Sequence, residues 1–447
     1  MSEHEPPHFG TRCLHAGQTP DPETGAVAPP IYQTTSYAFE DADRAADLYA
    51  LEAEGNIYSR FDNPTVRTLE RRLASLEGGA DAVATASGMA ALDATTTVLA
   101  SAGENIVSAS SIYGGTHSYL TTTARQRAIE ARFVDTLDYE AYAEAIDDET
   151  AYVHLETIGN PSLITPDIER VAEIAHEHGA PLVVDNTFAT PYLCNPIEHG
   201  VDVVWESTTK WLHGSGTTVG GVVVDGGSFP WAEYPEQYPA LGDSAAELDG
   251  DSYVDRFGDR AFAVATRQRA VRNVGDGQNP FDAWTTLQGT ETLAVRMERH
   301  CENAMTVAEF LADHPEVAWV SYPGLGSHET HDNASEYLDG GEASSASRSS
   351  GDGTSAGGYG GMVTFGLSGG YEAGQRLCED TDLAQFLANV GDAKTLVIHP
   401  ASTTHAKLTP EEQRASGVAP DMVRLSVGIE DARDIIGDLQ AGIETAT

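Results

Sequence analysis

The amino-acid sequence predicts an α/β chain: a large domain on a mostly parallel sheet, then a smaller α+β C-terminal domain. From about residue 66, short apolar runs alternate with stretches that repeat at helical spacing. Repeated strand–helix alternation means a mostly parallel sheet covered on both faces. From residue 287 a long helical pattern leads into more widely spaced strands, which reads as the second domain.

Residues 1–65 have little periodicity and are punctuated by Pro20, Pro22, Pro29, Pro30 and Pro64. They read as an extended N-terminal arm. Residues 66–286 form the expected large domain. Its strands are read at 80–86, 105–109, 133–136, 152–155, 181–185, 201–205 and 219–224, and its helices at 65–76, 89–99, after Gly115, at 139–146 and at 168–178. Residues 225–272 are rich in Gly, Pro, Tyr and Asp and read as a long irregular loop or insertion. Residues 287–447 form the expected second domain. A helix covers 287–311, strands lie at 318–322, 362–365, 395–398 and 422–427, and 431–443 is the last helix. Residues 340–358, a Gly/Ser/Asp tract, read as a flexible surface insertion.

The 447 residues carry 69 acidic and 25 basic side chains, a net charge of −44. That balance argues against nucleic acid and anionic membranes as partners. With 40% hydrophobic residues in regular runs, disorder is a poorer account than a fold. A carboxylate-rich, lysine-poor surface suits concentrated salt, where self-repulsion is screened over ~3 Å, so a halophilic protein is expected. Cys13, Cys194, Cys301 and Cys378 are far apart and form no C-x-x-C pair. A metal cluster or disulfide framework is therefore not expected, and a reducing cytoplasm fits. Residues 1–9 lack the apolar core of a signal peptide, and no stretch reaches the ~20 apolar residues of a membrane span.

The chain has only three lysines: Lys210, Lys394 and Lys407. Lys210 stands in Glu206-Ser207-Thr208-Thr209-Lys210-Trp211, between two apolar runs. An ε-amine condenses with aldehydes, so the sharp reading is a Schiff-base lysine for pyridoxal phosphate (PLP). That cofactor also needs a carboxylate for its pyridinium nitrogen, an anion site for its phosphate and a flat group over its ring. Asp185 ends the apolar run Pro181-Leu182-Val183-Val184, at the sheet edge where α/β folds bind ligands. Alone it reads more readily as a helix N-cap or turn aspartate. Ser87-Gly88-Met89 joins a strand to a helix and would offer amides to a phosphate, with Ser207 and Thr209 as hydroxyl donors. Tyr113 precedes Gly114 and Gly115 and can lie over a ring; a half-buried turn tyrosine is the plain alternative.

Taken together, the motifs are those of a known family. They are Tyr58-Ser59-Arg60 with Asn63-Pro64-Thr65, Ser87-Gly88-Met89, Tyr113-Gly114-Gly115-Thr116, Glu156 to Asn160-Pro161, Asp185-Asn186-Thr187, Ser207-Thr208-Thr209-Lys210 and Arg424-Leu425-Ser426. In this order the chain resembles the cystathionine γ-synthase-like family, the PLP enzymes of cysteine and methionine metabolism. The resemblance implies a type I PLP-dependent, aspartate aminotransferase-like fold and a homotetramer whose active sites are shared across a dimer.

The resemblance also implies roles. Lys210, Tyr113 and Asp185 form the catalytic set: Schiff-base lysine and proton shuttle, ring stacker, and pyridinium partner. Ser87, Gly88, Met89, Ser207 and Thr209 would hold the phosphate, and Asn160 would contact the phenolic oxygen. Tyr58 and Arg60 would reach the neighbouring subunit's phosphate. Arg424 would fork the substrate carboxylate, and Ser402 and Tyr113 would complete the substrate set.

Three stretches bring the chain nearest the O-acetylhomoserine sulfhydrylase subgroup: residues 390–405, 273–281 and 297–301. The implied reaction is γ-replacement on O-acetylhomoserine by sulfide or a thiol. Alternatives within the family are cystathionine γ-synthase and γ-lyase. Gly115 counts against the latter, because methionine γ-lyases usually carry cysteine there. A non-catalytic PLP-binding member is a distant alternative. A nicotinamide dehydrogenase is set aside, as no G-x-G-x-x-G turn follows the first strand.

Overall fold

A computed structural model describes residues 7–338, 358–407 and 409–447. The tract expected as an insertion at 340–358 lies outside the described residues, Gly358 aside.

Seven strands build the large sheet: β1 Asp81–Thr85, β2 Asn105–Ala109, β3 Glu130–Val134, β4 Thr150–Glu156, β5 Leu182–Asp185, β6 Val203–Glu206 and β7 Gly221–Asp225. Their order in space is β1-β7-β6-β5-β4-β2-β3. Strands β2 to β6 pair in parallel, and β7 runs antiparallel to β6 and β1. Every residue of β1, β2, β4, β5, β6 and β7 is buried, as a parallel sheet covered on both faces requires. Edge strand β3 starts earlier than its apolar run suggested, because Glu130 and Arg132 occupy a partly exposed edge.

The helices start where their capping residues dictate. Asn63 accepts the Thr65 amide hydrogen at the head of the helix Pro64–Glu77, whose second flank is a left-handed Gly78. The Ser87 hydroxyl accepts from the Ala90 amide and starts the helix Gly88–Leu99 directly after β1.

Residues 225–272 are not the irregular loop that composition suggested. They fold into a chain of short helical turns from Trp231–Glu233 to Arg267–Arg272. Trp231, Tyr238, Leu241, Tyr253 and Phe262 are buried in the large sheet's core. The Tyr238 hydroxyl donates to Ala151 O at 3.1 Å, near the first residue of β4. Tyr238 and its neighbours therefore pack at the end of the sheet opposite the carboxyl ends of its strands. Up to Phe257 the turns are too short to print a 3.6-residue period; beyond them Ala261–Thr266 runs straight into the wider π turn Arg267–Arg272, which departs from that period.

The second sheet holds β8 Val317–Ser321, β9 Met362–Leu367, β10 Gln385–Phe386, β11 Leu396–Ile398 and β12 Met422–Ser426, in the order β10-β11-β12-β9-β8. Only β10 and β11 pair in parallel. The helices Gly370–Asp380 and Ala432–Ala446 bury Leu377, Cys378, Ile435 and Leu439 against it.

The long helical pattern near residue 287 is two helices, Pro280–Thr290 and Leu293–Ala312. Leu287 lies within the first and packs in the large core. The seam between the cores falls inside the second helix: Leu293, Met297 and Cys301 pack with the large sheet, Ala304, Val307 and Leu311 with the small one.

Glu70, 1% exposed, accepts from Arg67 at 3.1 Å and from Arg267 at 2.9 Å on both carboxylate oxygens. This network ties the helix Pro64–Glu77 to the turns after residue 260. Removing the acid leaves Arg267, largely covered, without its ion-pair partner, while Arg67 keeps Asp81 at 2.8 Å. Glu70→Ala should lower unfolding stability by about 3 kcal/mol, read by denaturant melts in high salt.

Candidate active site

The carboxyl ends of the strands converge on one cavity of about 1100 Å³. β1 delivers Ser87, Gly88 and Met89, the turn after β2 delivers Tyr113, β4 ends in Glu156, β5 ends in Asp185, and the turn after β6 carries Ser207, Thr209 and Lys210. Asn160 and Arg424 complete the wall. Ten of the thirteen residues singled out in the sequence thus line one hollow at the edge where α/β sheets bind ligands.

Lys210 sits between both domains' elements. Its ammonium donates to Asn389 Oδ1 at 2.5 Å, a residue between β10 and β11 of the small sheet. Gly391 explains the close approach: its φ is +74°, and a Cβ there would stand 2.7 Å from the Trp211 nitrogen and 2.9 Å from the Lys210 carbonyl carbon. Buried Arg296 holds the chain just beyond, donating to Trp211 O at 2.7 Å and Leu212 O at 3.2 Å. Burial, with help from the Arg424 charge, pushes the Lys210 amine down to about 8. An amine near that value supplies a free base at neutral pH far more readily than a solvated lysine.

Glu156 and Asp185 stand side by side, since they are register partners on β4 and β5. Glu156 accepts the Tyr113 amide at 2.6 Å and the Asn160 amide at 3.0 Å, so one carboxyl positions both loops. Burial, then the neighbouring Asp185 charge, drives the Glu156 carboxyl well above the usual range. Burial likewise pushes Asp185 up to about 7, although the Thr187 amide donates to its Oδ1 at 2.9 Å. A cation placed against Asp185 would restore its charged form.

The anion corner is built by close packing. A Cβ on Gly88 would fall 2.7 Å from the Ser207 Cβ, so glycine lets the helix start meet the segment before Lys210. The Thr187 hydroxyl accepts the Ser207 amide at 2.9 Å. Thr209 gives its proton to Gly220 O at 3.1 Å and accepts the Gly220 amide at 3.0 Å. The first amides of the helix Gly88–Leu99 and the Ser87 and Ser207 hydroxyls together suit a phosphate. Arg424, on β12, donates to Asn160 Oδ1 at 3.0 Å, and burial pushes it down to about 10. No carboxylate pairs with it among the described residues.

Three of the thirteen lie elsewhere. Ser402 does not reach the cavity; the turn Pro400–Ser402 folds its hydroxyl onto His399 Nδ1 at 2.8 Å, and Thr404 and His405 line the wall instead. Tyr58 is 40% exposed on the N-terminal arm, and the Arg60 guanidinium stacks on Tyr58 and Phe61, outside this chain's own cavity. Sequence reasoning assigned no role to Glu156, Asn389, His405 or Lys407. Glu156 carried the same signal as Asp185, an acid closing an apolar run. Asn389 carried none, because its partner is 179 residues away.

An amine lowered by burial, a buried carboxyl in the same cavity, a helix-start anion site and a guanidinium with no carboxylate partner among the described residues form the donor set that PLP and an amino-acid substrate require. The fold and these groups define a PLP-dependent enzyme. Residues 10–444 match the Cys/Met metabolism PLP-dependent enzyme family, and the chain belongs to it. It is 46% identical to the homocysteine synthase of Schizosaccharomyces pombe, over 99% of both chains. It is 45% identical to O-acetyl-L-homoserine sulfhydrylase 1 of Thermus thermophilus, over 97% of this chain and 99% of that one. Among solved structures, an O-acetylhomoserine (thiol)-lyase of Campylobacter jejuni holding N'-pyridoxyl-lysine-5'-monophosphate superposes with a TM-score of 0.90 at 37% identity, covering 98% of this chain and 100% of that one. The metB protein of Corynebacterium glutamicum gives 0.81 at 33%, covering 98% of each.

Behind Asp185 lies a second acid pair. Glu206 is fully buried, and neither of its carboxylate oxygens meets a donor among the described residues. Its neighbour Glu77 receives Asn186 Nδ2 at 2.9 Å on one oxygen and nothing on the other. Burial pushes Glu77 up to about 7, and burial plus the Glu77 charge pushes Glu206 well up. Such carboxyls bind more protons folded than unfolded. They withdraw stability as pH rises from the unfolded value of about 4.3 through the folded value of about 7. Glu206→Gln should therefore gain stability over wild type between pH 5 and pH 8, on the order of 2 kcal/mol at the upper end. Thermal melts across that range read it; a constant offset at every pH would contradict the shared proton.

Proposed function

We propose that the chain catalyses γ-replacement on O-acetyl-L-homoserine, with sulfide or methanethiol giving L-homocysteine or L-methionine plus acetate. The observation that carries this is the meeting of Lys210, Asp185 and Arg424 in one cavity. The names of full-length relatives supply the substrate.

PLP, when bound through Lys210, supplies an electron sink for the negative charge formed at the substrate Cα. Arg424 binds the substrate carboxylate and Asn160, bonded to it, orients that guanidinium. The Lys210 amine, once free, takes the Cα proton and helps move one from Cβ. The Cγ–O bond breaks with its electron pair leaving on acetate, and the sulfur pair forms the new Cγ–S bond. Lys210 returns the protons to carbon. Asp185 would hold the positive charge of the ring nitrogen, and Tyr113 would cover the ring. The amides of Gly88 and Met89 with Ser87, Ser207 and Thr209 would hold the phosphate.

We further propose a homotetramer in which Tyr58 and Arg60 act on the partner's site. Their exposure on an arm away from their own cavity supports that reading. No helix among the described residues is long and apolar enough to cross a membrane; a cytoplasmic, salt-adapted enzyme fits the composition.

Lys210→Ala should abolish the absorbance of the bound cofactor and cut turnover by about 10³-fold or more. Full turnover without added amine would defeat the assignment. Product analysis with sulfide, methanethiol and cysteine in parallel separates this activity from cystathionine γ-synthase and γ-lyase. With −44 charges, the fold should loosen as salt is removed, seen as a melting temperature that rises steeply with ionic strength.

A further inference from the structure

The charge on the walls of the cavity runs against that of the whole molecule. Of 447 residues 69 are acidic, yet the cavity is lined by only two acids, Glu156 and Asp185. Both close β-strands at the sheet's rim and accept backbone amides. The side formed by residues 404–407 carries no acid and holds one of the chain's three lysines, Lys407, which is solvent-exposed. Of the other two, Lys210 bonds to Asn389 and Lys394 pairs with Asp392 at 3.2 Å. Lys407 has no carboxylate partner among the described residues. His405, two residues before it, packs against Gly114, its Nε2 3.6 Å from where a Cβ would stand, and burial, then the Arg424 charge, lowers its imidazole. Lys407 is therefore the lysine of that wall, lining the cavity and open to solvent.

We propose that Lys407 draws the anionic nucleophile, hydrosulfide or a small thiolate, into the cleft. The inference rests on the γ-replacement reading above and names the form in which its second substrate is captured. The thiolate form of sulfur is the nucleophile, and it must approach a molecule whose net charge repels anions. A cation on an acid-free stretch of wall, in a cavity that also holds Arg424, favours an anion there and raises its local concentration. The alternative partner for such a cation is the distal carboxylate of a succinyl ester. The relatives named for O-acetylhomoserine weigh against it, since the acetyl group has no charge to read.

The test compares the wild-type holoenzyme with Lys407→Ala, Lys407→Glu and Lys407→Arg. The KM for sulfide should rise about 3- to 5-fold in the alanine variant and further in the glutamate variant, with arginine near wild type. The kcat at saturating sulfide and the KM for O-acetylhomoserine should stay unchanged, and the differences should shrink in concentrated salt. Azide, an inert anion, titrated into the holoenzyme by calorimetry reads the same site without turnover and should bind more weakly to the alanine variant. Unchanged sulfide KM and unchanged azide affinity would overturn the proposal. So would a Lys407-dependent use of O-succinylhomoserine, which would make the lysine a reader of the acyl chain. Wild-type enzyme that forms no homocysteine would defeat the parent reading instead, and the azide titration would then decide the anion site alone.

Discussion

Two carboxyls forced together at the ends of adjacent parallel strands set the terms for everything around them. Glu156 and Asp185 are register partners, and both are buried. Two like charges in such a place cannot both ionise without compensation. Glu156 is compensated by the chain itself, through the amides of Tyr113 and Asn160. Asp185 has the Thr187 amide and, among the described residues, no cation paired with it. The asymmetry gives the two acids different tasks. One fixes two loops, and the other is left to bind a positive charge delivered from outside the chain. A protonated ring nitrogen is such a charge, and only while it stays protonated is the ring a strong electron sink.

The lysine obeys the complementary logic. Its burial costs the ammonium form, and the Arg424 charge adds to that cost. What retains it is one short bond to Asn389, from the other sheet. Lys210 thus reports on how the two sheets sit together, which explains the packing of Gly391 onto the Lys210–Trp211 backbone and the grip of Arg296 on the next carbonyls. A helix shared by both cores, Leu293–Ala312, makes that relation rigid. Arginine could not replace the lysine, because a guanidinium does not lose its proton in proteins.

Much of this was legible in the sequence where structure follows local rules. Buried parallel strands print as apolar runs, and β2 was read at its observed bounds. Acids and glycines closing those runs located Asp185 and Ser87-Gly88. Legibility failed where the signal is not local. The turns between residues 231 and 257 are too short for periodicity, and edge strand β3 hides behind two charges. Ser402 was placed by its motif, but a one-turn helix points its hydroxyl at His399. Asn389 became visible only when folding brought it to Lys210.

The acidity of the surface and the chemistry of the cavity are solutions to opposite problems. Outside, unpaired carboxylates stay solvated and repel one another. Inside, each carboxyl must find a donor, a proton or a cation, because water is absent. Glu206 shows how strict that is: with no donor in reach it can be neutral only by holding a proton against Glu77. The same residue type is cheap on one side of the sheet's rim and costly on the other. The rim is therefore where this chain abandons its surface composition, keeps two of its three lysines on one cavity wall or another, and concentrates the groups that do chemistry.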